Sequence, residues 1–86
     1  VGRDEFTKRL ERALDVAIVE LEELKRLGFL TRYDKQPSLE EGIYHLTAYA
    51  KDPNRVDRLL GNLSARLSIE FDVPLVIVLS REEDGR

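Results

Sequence analysis

His45 is the only histidine in the chain, and histidine is the side chain best suited to move protons near neutral pH. As a general base it needs a carboxylate to orient its ring and a nucleophile within hydrogen-bond reach. Tyr44 and Tyr49 beside it, with Arg32 upstream, are the groups on which a small hydrolase or nuclease would draw. The nearby hydroxyls, Ser38, Thr47, Ser64, Ser68 and Ser80, lie in no recognisable nucleophile turn. A metal on His45 would need carboxylates for its remaining ligands, yet no His-Glu-x-x-His pattern or acidic loop surrounds it. The pairs Glu22/Glu23, Glu40/Glu41 and Glu82/Glu83 could supply two carboxylates. Sequence neighbours point in different directions, however, and charged surroundings read as solvated surface. No catalytic residue, metal or cofactor is therefore assigned, and the chain is expected not to be an enzyme.

Other signatures are missing as well. No glycine-rich loop with Lys-Ser/Thr cradles a phosphate, and no spaced glycines join a strand to a helix. Without cysteine, disulfides, thiolate nucleophiles and zinc ribbons drop out and stability must come from packing. The sequon Asn62-Leu63-Ser64 falls within an expected helix and reads as coincidence. Fourteen Lys and Arg stand against seventeen Asp and Glu, a net charge of -3. Phosphate neutralisation requires the opposite surplus, so nucleic acid and anionic membrane surfaces are disfavoured. The apolar run at residues 75–79 is far shorter than the roughly 20 residues of a membrane-spanning helix, and the expected location is cytoplasmic. Residue 1 is not methionine, so the chain reads as a processed product or part of a longer one.

Any such groups must be positioned by the elements that 86 residues can form, which is one domain with a single core. Leu10, Leu14, Ala17, Leu21 and Leu24 recur at spacings of four and three, predicting a helix over residues 4–27 that Gly28 closes in a left-handed turn. Thr31 and Tyr33 favour an extended segment, and the turn-forming residues 34–38 lead into an expected hairpin. Residues 43–51 fit two periods. Tyr44, Leu46, Ala48 and Ala50 alternate as a strand, while Ser38 and Glu41 could cap a helix. The strand is preferred because Gly42 interrupts the helical alternative and Asp52 precedes proline.

Asp52-Pro53 predicts the start of a second helix, whose stripe is Val56, Leu60, Leu63, Leu67 and Phe71. Gly61 beside that stripe suggests close backbone packing or a local break. Val73-Pro74 ends the helix, and Leu75, Val76, Ile77, Val78 and Leu79 follow as a strand, apolar on both faces and so expected at the centre of the sheet. The fold class is α+β, a two-layer α-β-β-α-β sandwich with a small sheet of about three strands covered by two helices on one face. It forms a single domain over residues 1–86.

This order of elements resembles that of KH-like domains, and the resemblance implies an RNA- or ribosome-associated alternative. The nearest counterpart of their Gly-x-x-Gly clamp, Gly61-Asn62-Leu63-Ser64, lacks the second glycine and flanking lysines. The leading expectation instead comes from surplus apolar surface. If the helices cover Tyr44, Leu46 and Ala48, the other sheet face shows Ile43, His45, Thr47 and Tyr49 beside Val76 and Val78. The alternative surface is the surplus apolar side of helix one, with Ile18 in the run Val16-Ala17-Ile18-Val19. These residues form the candidate interface of a protein-interaction or assembly module, with a homodimer or homo-oligomer as the simplest partner arrangement.

Overall fold

The computed structural model describes residues 2–82, with side chains from residue 5 onward. Expectations for residues 83–86, Glu83 included, lie outside the described residues. Helix α1 spans Gly2–Arg26. It closes as the glycine predicts, with Gly28 at φ 91°, Gly28 N–H donating to Lys25 C=O and Phe29 N–H to Leu24 C=O. This paired closure satisfies carbonyls that the helix end would otherwise leave orphaned.

Two short strands, β1 (Arg32–Tyr33) and β2 (Ser38–Glu40), pair antiparallel with successive stretches of β3 (Ile43–Ala50). They occupy one edge of β3, separated by residues 34–37, so the sheet is four strands by count and three strands wide. The hairpin turn is not at residues 34–38 as expected. It is the two-residue link Glu41-Gly42, with both φ angles positive (53° and 79°), between the paired residues Glu40 and Ile43. A turn with two left-handed residues matches the twist of the strands it joins, and glycine takes its second position without strain.

The second helix also begins later than expected. Asp52 makes no side-chain cap, and Pro53–Arg55 form one turn of 3-10 helix before α2 (Asp57–Phe71). Proline fits the tight turn, while the switch to α geometry comes at Val56, whose carbonyl accepts from Leu60 N–H at 2.9 Å. Helix α2 ends with Asp72 left-handed at φ 55°, and Arg9 of α1 donates from Nε to the Phe71 carbonyl at 3.1 Å, a cation at the negative end of the dipole. Strand β4 (Leu75–Arg81) then pairs parallel with β3 over its whole length, Leu75 beside Tyr44 and Arg81 beside Ala50.

Strand β4 therefore lies at the edge among the described residues, and β3 holds the centre. The apolar run misled because parallel pairing places its odd-numbered residues under the helices, whereas Val76 and Val78 are apolar on a side that no helix covers. Helix α2 shields the outer edge of β4 with two hydroxyls. Ser64 Oγ accepts from Ile77 N–H at 3.0 Å and Ser68 Oγ donates to the Leu75 carbonyl at 2.6 Å. Those backbone groups point away from β3 and would otherwise offer a template for strand addition.

The core is the layer between the helices and one sheet face: Ala13, Ala17 and Leu21 from α1, Leu46, Ala48 and Ala50 from β3, Leu60, Leu63 and Leu67 from α2, and Leu75 and Ile77 from β4. Alanines on both sides leave room for the layers to approach closely. Gly61 does not serve that contact, because a Cβ placed there would meet nothing within 4 Å. The fold is thus a small α+β sandwich with one helical layer and one sheet face in contact.

Candidate functional site

Alternation along β3 divides its side chains cleanly. Tyr44, Leu46, Ala48 and Ala50 face the helices, and Leu46 is 0% exposed; Ile43, His45, Thr47 and Tyr49 face the other way. The register sets their neighbours. Residues paired across strands share a face, so Val76, Val78 and Ser80 of β4 lie beside His45, Thr47 and Tyr49 on one flank. Ser38 and Glu40 of β2 lie beside His45 and Ile43 on the other, with Arg32 of β1 beside Tyr49. Ile43 and Val78 remain 39% and 38% exposed, and no helix of the described residues crosses this face.

One end of the face is ordered by charge. The Arg32 guanidinium stacks 3.7 Å from the centroid of the Tyr49 ring, where the ring's negative face attracts it. Its Nε donates to Glu82 Oε1 at 3.1 Å, and Thr31 Oγ1 donates to the same oxygen, also at 3.1 Å. Glu82 follows β4 and Arg32 belongs to β1, so the carboxylate spans the end of β3 and ties the two sheet edges together. At the opposite end Glu40, beside Ile43, makes no ion pair among the described residues.

His45 occupies the middle of the face between Ser38 and Val76. Its Nδ1 is shut off from solvent by its own chain and has no hydrogen-bond partner among the described residues. No carboxylate among the described residues hydrogen-bonds that nitrogen. Tyr44 lies on the closed face, its ring 6.1 Å from that of Phe6. Tyr49 is four residues along the strand, about 13 Å away at the rise of a β-strand, and Arg32 is at Tyr49. The structure thus separates His45 from the groups that a hydrolytic reading would combine with it. No group of three or more His, Asp and Glu side chains suited to a metal occurs among the described residues.

Six of the seven predicted interface residues, Ile43, His45, Thr47, Tyr49, Val76 and Val78, share this one open face. Ile18 does not. It lies in the helical layer, half-buried in a shallow groove with Leu10, Leu14 and Pro37, and a helix on the closed face cannot present a residue to the open one. Sequence reasoning missed Arg32 and Glu40 as members of the face, because their places depend on the split pairing of β1 and β2. Gly61-Asn62-Leu63-Ser64 lies inside α2, not in a loop between two helices, so its backbone is already bonded within the helix. No helix of the described residues is long and apolar enough to cross a membrane.

The class that this geometry defines is a two-layer α+β sandwich with one sheet face closed by its own helices and one open. Comparison with known protein families, characterised proteins and solved structures finds no match for this chain.

Proposed function

We infer that this domain is a non-enzymatic protein–protein interaction or assembly module that self-associates as a homodimer through its open sheet face. The observation that carries the reading is the row Ile43, His45, Thr47 and Tyr49 flanked by Val76 and Val78, which the helices leave uncovered. Apolar and aromatic side chains on a rigid sheet gain from leaving water, and twofold symmetry allows one patch to serve both partners. The net charge of -3 supports a protein partner over nucleic acid. Cytoplasmic residence belongs to the same proposal, supported by a fold that contains no cysteine.

The size of the face sets the strength. Three strands about 4.8 Å apart and eight residues at about 3.3 Å each cover roughly 380 Å², less than half of the roughly 800 Å² per partner of a standard stable interface. The dimer is accordingly weak, with a dissociation constant in the micromolar range or above. Sedimentation equilibrium over a wide concentration range tests this. Mass rising toward twice 9.9 kDa, and a return to monomer with Val78→Glu, support the reading; a monomer at every concentration overturns it.

A further inference from the structure

The charged ends of the open face contain more information than its apolar middle. Glu40 stands beside Ile43 at one end of β3, and Arg32 stands beside Tyr49 at the other, both on the β1/β2 flank. Two identical sheets can meet face to face about a twofold axis in only two main ways. The axis runs either along the strands or across them.

With the axis along the strands, each flank lies over the opposite flank of its partner. Arg32 then faces Ser80, Glu40 falls near the start of β4 at Pro74, and His45 stacks on its own copy. Glu40 then finds no complement, and the one carboxylate near Arg32 is Glu82, already engaged by Arg32 and Thr31 of its own protomer. With the axis across the strands at the level of Leu46 and Ile77, each flank lies over its own copy, turned end for end. Ile43 then meets Tyr49, His45 meets Thr47 and Val76 meets Val78. Glu40 of each protomer comes opposite Arg32 of the other, twice by symmetry.

The geometry points to this second arrangement, an antiparallel face-to-face homodimer registered by two reciprocal Glu40–Arg32 ion pairs; it rests on the self-association reading. Aligned sheets pack about 10 Å apart and are turned by about 30°. Glu40 and Arg32 lie about 11 Å from the axis, so that turn displaces them by about 6 Å, which two long side chains can span. Arg32 is prepared for the contact. Its Nε is committed to Glu82 and its plane to Tyr49, which orients the guanidinium while 56% of the side chain stays exposed. An already ordered side chain loses less entropy on pairing.

A charge-swap series tests the register by sedimentation equilibrium on the full chain, with thermal melting as a check on folding. Glu40→Lys alters an exposed residue without an ion-pair partner among the described residues and should raise the dimer dissociation constant about tenfold, because reversal strikes two symmetry-related pairs at once. Arg32→Glu should do the same or more, since it also loses the Tyr49 stack. Combining them as Glu40→Lys with Arg32→Glu should give a tighter dimer than Arg32→Glu alone, because the reciprocal pair is restored while the Tyr49 stack and the Glu82 bond stay lost. An unchanged constant in Glu40→Lys, or a double variant no tighter than Arg32→Glu alone, overturns the antiparallel register. If Val78→Glu still dissociates that same dimer, the open face remains the interface and only the register has failed. A parent chain that stays monomeric overturns both.

Discussion

The two faces of this sheet are built from the same strand and meet opposite fates. On β3, Leu46 is fully closed off while Thr47, the next residue, points toward a face with no helical cover. The closed face is filled mainly by aliphatic side chains, with Tyr44 against Phe6 at one end, and the open face mixes aromatic, hydroxyl, imidazole and aliphatic groups with charge at its ends. Core faces are selected to exclude water permanently, whereas a mixed face can be wetted in one state and covered in another. On the proposed reading, stability belongs to one side of the strand and association to the other.

The sharpest way to break that division is a pair of neighbouring substitutions. Leu46→Ala should destabilise the domain by about 2–5 kcal/mol, the range for truncating a fully enclosed leucine. Thr47→Ala should change the stability of the dilute monomer by no more than about 0.5 kcal/mol. Urea unfolding at low concentration measures both, and equal losses would show that the open face is part of the core.

Within α2 the same contrast occurs one turn apart. Ser64 is turned to the β4 edge and bonds Ile77 N–H, while Gly61 faces open space. Ser64→Ala should cost about 1 kcal/mol by removing that acceptor, and Gly61→Ala should stabilise by about 1 kcal/mol through helix propensity. Chemical denaturation separates them by sign. A destabilised Gly61→Ala would mean that the glycine is needed where the structure leaves room for a side chain.

The smallest effect lies at the rim of the helix-covered face. Tyr33 Oη donates to Glu22 Oε1 at 2.6 Å. This bond, ahead of the charges of Lys25, Lys35 and Arg26, holds the Glu22 carboxyl below its ordinary 4.5, and it raises the Tyr33 phenol above its ordinary 10.0. Glu22 contributes stability above the ordinary carboxyl value that is lost as pH falls through its lowered one. Tyr33 contributes below the ordinary phenol value, and that contribution is lost as pH rises through its raised one. Tyr33→Phe should therefore move the Glu22 midpoint upward in a carbon-detected NMR titration, and an unmoved midpoint would show that the bond is not formed in solution.

Much of this division was legible in the sequence because period-two alternation is a local property. Tyr44, Leu46 and Ala48 against His45, Thr47 and Tyr49 could be assigned to two faces before any pairing was known, and Gly28 marked the end of α1. What could not be read were relations between strands. Leu75, Val76, Ile77, Val78 and Leu79 looked central because their composition reports how apolar a strand is, not which edge is paired. The turn at Glu41-Gly42 was hidden because its first residue carries no preference for left-handed geometry. Arg32 and Glu40 became members of the face only through the register of two short strands on one edge of β3. Ile18, read as part of a separate apolar side of helix one, lies in the helical layer away from the open face.

Side-chain NMR across a dilution series tests the central claim most directly, from about 20 µM to about 1 mM so as to bracket a micromolar constant. The account predicts concentration-dependent shifts of the Ile43, Thr47, Val76 and Val78 methyls, with those of Leu46, Leu60 and Leu67 nearly still. Shifts confined to α1 residues such as Leu10, Leu14 and Ile18, or no shifts at all, would contradict it.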